Sequence, residues 1–149
     1  MKIIGLSVLV IVFLFIALLI VQNLRTPTHL GHKEGQLAAM PDKPNAVSSQ
    51  TDVVEKYVEP LPYKASRDET LAALISTLNN MGGNEVQIQK GHYIYTVFTT
   101  AKLRFHDDVE LLLDDKMQKV HFRSQSRAGH SDMGLNRKRF EQFKELYSK

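Results

Sequence analysis

Residues 85–127 read EVQIQKGHYIYTVFTTAKLRFHDDVELLLDDKMQKVHFRSQSR, and this stretch decides the fold. Val86 and Ile88 alternate with Glu85, Gln87 and Gln89, the period-two pattern of a half-buried strand. Lys90-Gly91 makes a tight turn into HYIYTVF, residues 92–98, whose aromatic and β-branched content favours a second strand that could run on to Phe105. Residues 109–113 supply a third, Asp114-Asp115-Lys116 its turn, and residues 119–127 a fourth. On the fourth, Val120 and Phe122 share one face. His121, Arg123, Gln125 and Arg127 share the other, because side chains alternate along a strand.

Working outward, helices bracket the strands. Ser66-Arg-Asp-Glu69 has the form of a capping box. Leu71, Leu74, Ile75 and Leu78 follow at helical spacing until Gly82-Gly83, which predicts a helix over about 66–81. A last helix starts near Asn136 or Arg137, with Phe140, Phe143 and Tyr147 as its apolar stripe. The order α-β-β-β-β-α with short links predicts an α+β fold: an antiparallel four-stranded meander packed by two helices.

The N-terminus is of another kind. Residues 3–21, IIGLSVLVIVFLFIALLIV, hold no charge and would reach about 28 Å as a helix, against a hydrocarbon core of about 30 Å. In lipid the backbone must pair with itself, so the segment is helical there. The stretch is longer than a signal h-region and lacks a small-x-small cleavage site, so it reads as an uncleaved single-pass anchor rather than a signal peptide. Residues 1–24 form that anchor, 25–43 a linker and 44–149 the soluble domain. All five prolines fall between positions 27 and 62, as suits a tether. Lys2 and the terminal amine on the short N-terminal side favour a cytoplasmic N-terminus in an inner (cytoplasmic) membrane. The domain would then be periplasmic, part of the cell envelope.

Charge sharpens the picture. The 149-residue chain carries a formal +3. Residues 101–115 hold two Lys/Arg and five Asp/Glu, while residues 116–149 hold nine and three. Two readings are open: the acidic and basic blocks satisfy each other within the fold, or the basic block is an anion-binding face. With no cysteine, disulfides, thiolate nucleophiles, cysteine-zinc sites and lipoprotein anchors are excluded.

The densest polar run is RSQSRAGHSDMGLNRKR, residues 123–139, joining the last strand to the last helix. Arg123, Arg127, Arg137 and Arg139 suit a phosphate or carboxylate, with Ser131, Asp132 and Asn136 shaping the loop. The structural alternative makes Asp132 the internal anion and sets Asp107-Asp108 against Arg123. The glycine spacing of residues 129–134 lacks the Lys-Ser/Thr of a P-loop and fails as a nucleophile elbow. A triad of Ser131 with His130, His106 or His121, and a metal site from His106, Asp108, His121 and His130, are permitted but not specified. His29-x-x-His32 lacks a carboxylate partner nearby. No metal, cofactor or nucleic acid is expected; the basic helix has no aromatic stacking surface.

Three segments together resemble a known family. PNAVSSQ at residues 44–50 is similar to its PNCVSSQ signature, Asp107-Asp108-Val109-Glu110 to its DDVE strand, and residues 123–139 to its long R-S-x-S-R-x-G-x-S-D-x-G-x-N-R-x-R motif. This is the domain-of-unknown-function family 1499 of bacteria and chloroplasts, and the resemblance covers roughly residues 30–147. It implies no established activity. It does imply that Asn45, Ser48, Ser49 and Gln50 dock beside residues 123–139. Ala46 stands where the family usually has cysteine, so no thiol mechanism can operate here.

The expectation is a non-enzymatic envelope protein with no catalytic residues: a membrane-held domain that binds an anionic small molecule, a lipid head group or an envelope protein. The alternatives are a hydrolase using Ser131 with a His/Asp partner, and a structural assembly factor with an exposed apolar sheet face.

Overall fold

A computed structural model describes residues 2–149. Helix α1 (Lys2–Leu24) contains a 20-residue apolar stretch, Gly5–Leu24, whose apolar side chains are not buried by the rest of the chain, whereas Asn23 in its last turn is buried. It is long and apolar enough to cross a membrane.

The domain is α+β. Helix α2 (Arg67–Met81) starts at Ser66, whose hydroxyl accepts the Glu69 amide at 3.1 Å, the interaction read from the capping box. The meander follows as β5 (Asn84–Lys90), β6 (Tyr93–Thr99), β7 (His106–Asp114) and β8 (Lys119–Ser126), with α3 (Leu135–Ser148) closing the chain. All neighbours are antiparallel. Strand β6 stops at Thr99 rather than reaching Phe105. Residues 100–105 instead form a loop closed by Thr100 N–H to Phe105 O at 2.9 Å.

The sheet has six strands, not four. Strands β3 (Ala46–Ser48) and β4 (Leu61–Pro62) both pair with β8, after the two-residue strands β1 (His32–Lys33) and β2 (Gln36–Leu37), which pair only with each other. Two or three residues carry too little alternation to be read locally. Their pairing covers the outer edge of β8, which would otherwise offer unpaired amides to another chain.

Each face of the sheet has its own chemistry. On one, Leu74 and Leu78 of α2 and Phe140, Phe143 and Tyr147 of α3 pack on Val109, Leu111 and Phe122. Each such buried side chain contributes roughly 1.5–3 kcal/mol. Ile88 does not join this core. A β-bulge lies between Val86 and Ile88, so Val86 opposes Thr96 whereas Ile88 opposes Tyr95. The extra residue switches Ile88 to the second face.

That second face is crossed by residues 29–39. Gly31 N–H donates to Glu110 Oε1 at 2.7 Å. Leu37 N–H donates to Gln50 Oε1, and Gln50 Nε2 donates to Gly35 O, both at 2.9 Å. Leu37 is buried with Tyr93, Tyr95, Val97 and Leu112. The segment read as linker is therefore a strap across the sheet. Its scattered contacts have no sequence period to betray them.

Candidate functional site

Antiparallel register sets β7 beside β8 so that Glu110 opposes Arg123 and Asp108 opposes Gln125. Alternation then puts Asp108, Glu110, Arg123 and Arg127 on the strap face, and Asp107 on the helix face. Three buried ion pairs result. Arg123 Nη1 donates to Glu110 Oε2 at 2.9 Å, with neither side chain exposed. Arg127 reaches Asp108 through Nε and Nη2, at 3.0 and 2.8 Å. Arg139, one turn into α3, donates to Asp107 Oδ2 at 2.5 Å and stacks over the Phe98 ring.

Each pair is embedded in further bonds, as buried charges require. Tyr93 OH and Tyr95 OH donate to Glu110 and Asp108, both at 2.6 Å. Burial, followed by these carboxylates, pushes both phenols well above their usual range. Burial opposes the charge on Arg127, yet the bonds to Asp108 outweigh it and hold the guanidinium above its ordinary pKa. Arg123 Nη2 also meets His29 Nε2, the Ala39 carbonyl and Gln125 Oε1, so the strap contributes directly to this site.

The loop before α3 is tied down separately. Asp132 accepts from the amides of Gly134 and Asn136 at 3.0 and 2.8 Å. Asn136 is fully buried. Its Nδ2 donates to Asn45 O, Ser126 Oγ and Asp132 Oδ2, and its Oδ1 accepts from Arg139. Gly134 takes a left-handed φ of 77° at the N-cap, a conformation that glycine adopts freely. Ser131 Oγ is exposed and, among the described residues, accepts only the Met133 amide, at 3.1 Å.

The N-terminal motif divides. Asn45 docks on Ser126 and Asn136, and Ser48 pairs with Arg123 across β3 and β8. Ser49 and Gln50 turn elsewhere. Ser49 Oγ contacts His121 Nδ1 at 3.2 Å and accepts from Phe122 N–H, while Gln50 holds the strap. Asp107 and Asp108 pair with Arg139 and Arg127, not with Arg123; Glu110, absent from the expected site, is the partner of Arg123. Two carboxylates spaced i, i+2 opposite arginines spaced i, i+4 would signal such pairing, but only once the register is known.

The residues quoted from the sequence thus divide between the two sheet faces: Arg123 and Arg127 pair with carboxylates under the strap, whereas Asn45, Asp132, Asn136 and Arg139 are linked on the helix face. A family model described as protein of unknown function (DUF1499) matches residues 36–146. The chain belongs to this family. The match takes in all three ion pairs, the Asn45–Asn136 contact and both packing helices of the DUF1499 domain. No curated protein and no solved structure matches the chain.

The DUF1499 domain therefore neutralises Arg123, Arg127 and Arg139 internally. Arg137 reaches the Glu55 and Tyr57 carbonyls at 2.9 and 3.0 Å. It lines a cavity of about 330 Å³ together with Ala46, Lys56, Asp132 and Lys138. Ser49, His121 and Asp114 fall in the order of a catalytic triad. However, His121 Nε2 lies 3.9 Å from Asp114, too far for a hydrogen bond. Among the described residues, no group of three or more His, Asp or Glu side chains could hold a metal ion.

Proposed function

We propose that this chain is a single-pass membrane protein of the cell envelope, with its N-terminus cytoplasmic and its domain periplasmic. The domain serves as a non-enzymatic binding or accessory module seated on the membrane surface. One observation carries this reading. Asn23, in the last turn of α1, donates from Nδ2 to the Arg104 carbonyl at 2.9 Å and accepts the His106 amide at 2.7 Å. The apolar helix and the domain are thus joined with no free spacer between them. An amide at the end of a membrane span needs such partners, because each unsatisfied polar group in hydrocarbon costs several kcal/mol.

The anion-binding part of the reading narrows to Arg137 and Lys138 on the cavity beside Ala46, where an anionic small molecule or an acidic segment of an envelope protein would fit. Three of the four expected arginines already have carboxylate partners, which favours an accessory role over catalysis. Fusions of alkaline phosphatase and of a cytosol-fluorescent reporter after Lys149 test the topology, and alkaline carbonate extraction tests the anchor. Active phosphatase on carbonate-resistant protein supports the reading. Fluorescent, phosphatase-negative fusions overturn the orientation, and release into the carbonate supernatant overturns the anchor.

A further inference from the structure

The last turns of α1 and the loop of residues 100–105 enclose a groove of about 460 Å³, lined by Ile16, Leu19, Ile20, Leu24, Leu103 and Phe105. Ile16, Leu19 and Ile20 lie on one helix face, at i, i+3, i+4 spacing. Ile16 sits eight residues before Leu24, or about 12 Å along the axis, so the groove runs from the end of the apolar window into its interior. Leu103, 72% exposed at the tip of a hairpin loop, adjoins the exposed Ile16, Ile20 and Leu24 of α1, and a contiguous apolar patch of this kind marks a contact surface. The bonds from Asn23 to Arg104 and His106 fix this loop at the level of the last helical turn.

Polar chemistry adjoins the groove on one side. Arg104 and His106 line both it and a second cavity of about 610 Å³ that includes Thr26, Thr99, Glu85 and Arg127. Arg104 is held at a left-handed φ of 56°. Its guanidinium has no hydrogen-bond or ionic partner among the described residues, and neither do the side chains of Lys102 and Arg25 next to Leu103 and Leu24. Arg104, the unpaired cation among the described residues that line the groove, therefore stands where an apolar span meets the domain; Lys102 and Arg25 adjoin it in sequence, and the carboxylate of Glu85 lines the second cavity rather than the groove. An apolar slot continuous with hydrocarbon and edged by an unneutralised cation matches an anionic phospholipid.

We propose that α1 and the loop of residues 100–105 form a binding site for an anionic phospholipid of the adjoining leaflet, one acyl chain in the groove and the phosphate facing Arg104. This rests on the membrane-spanning reading of α1. Leu103 and Phe105 dip below the head groups, and Arg104 selects negative lipid at the interface.

The chain has no cysteine, so single cysteines can be labelled in the full-length protein reconstituted into phosphatidylcholine–phosphatidylglycerol vesicles. The environment-sensitive label is placed at Leu103→Cys. Leu14→Cys, inside the span, and Met117→Cys, beyond the far end of β7, serve as references. The quenchers are nitroxides on lipid acyl chains. The proposal expects the Leu103 label to be quenched as the Leu14 label is, and the Met117 label to stay aqueous. It also expects nitroxide-phosphatidylglycerol to quench the Leu103 label about five-fold more effectively than nitroxide-phosphatidylcholine, as one interfacial cation would give. Arg104→Gln should remove that preference, and inorganic phosphate should not compete. An aqueous Leu103 label beside a lipid-quenched Leu14 label overturns the lipid site alone. If neither is quenched, the membrane reading falls with it. Equal quenching by the two lipids, or loss of the preference in free phosphate, overturns the assignment of anionic lipid as ligand.

Discussion

Arg123 and Glu110 face each other across β8 and β7 with neither side chain exposed to solvent, 2.9 Å apart. Taking two ions out of water is costly, and their attraction offsets that only when both are present and the remaining polar atoms are bonded. Arg123→Met in the full chain should therefore cost about 3–5 kcal/mol of stability, read from urea denaturation in detergent micelles. Adding Glu110→Leu should restore much of the loss. If the double variant loses the sum of the two single effects, the pair is not coupled as described.

The joint between helix and domain rests on Asn23. Asn23→Leu keeps the helix apolar and leaves the Arg104 carbonyl and His106 amide without their partner. Hydrogen exchange at the His106 amide should quicken by about ten-fold, the effect of one lost hydrogen bond. Unchanged protection there would mean that packing of the loop, rather than Asn23, holds the joint.

Gln50 is one of several side chains, with Glu110 and Arg123, that hold residues 29–39 on the sheet. Gln50→Ala removes the bonds to Leu37 N–H and Gly35 O without touching the main core. Trypsin should then cut after the exposed Lys33 several-fold faster, because cleavage follows the population of the opened strap. A rate equal to that of the unmodified chain would show that the strap is held elsewhere.

Asn136 joins strand β8, the N-terminal motif and the loop before α3. Asn136→Ala leaves the buried Asn45 carbonyl and the Arg139 guanidinium each short of a partner, and should cost at least about 2 kcal/mol. The midpoint of thermal unfolding would report it, and a shift under about 2 °C would contradict the hub role.

Acid should destabilise the domain through two histidines. Burial holds His121 below the ordinary 6.5, against the pull of Asp114. Burial, then Arg127 and Arg104, lowers His106 in the same way. The unfolded chain takes up these protons first, so the contribution is complete above about pH 6.5 and is lost as pH falls below it. Melting temperature should fall between pH 6.5 and 5. The slope should shrink in His106→Gln/His121→Gln, and a flat profile in the unmodified protein would refute it.

Local structure was legible because neighbours in the chain encode it. The cap at Ser66, the apolar stripe of α3, the alternation that puts Arg123 and Arg127 on one face, and the apolar run of α1 each follow from spacings of a few residues. The motifs at residues 44–50, 107–110 and 123–139 also marked the family. What each charge does was not legible. Asp107 and Asp108 are adjacent, yet serve Arg139 and Arg127 on opposite sides of the sheet, and Glu110 rather than either takes Arg123. Those pairings depend on the register of β7 against β8, which the whole sheet sets, and a slip of one residue would turn every carboxylate to the other face. The bulge that turns Ile88 away from the core, the strap built from an aperiodic tether and the seat of Asn23 against residues 104–106 are likewise contacts between distant segments. Sequence determined which elements form and which side chains share a face. Tertiary structure alone decided that Arg123, Arg127 and Arg139 of the signature are neutralised inside the fold, because ion pairing is a matter of distance in space and not along the chain.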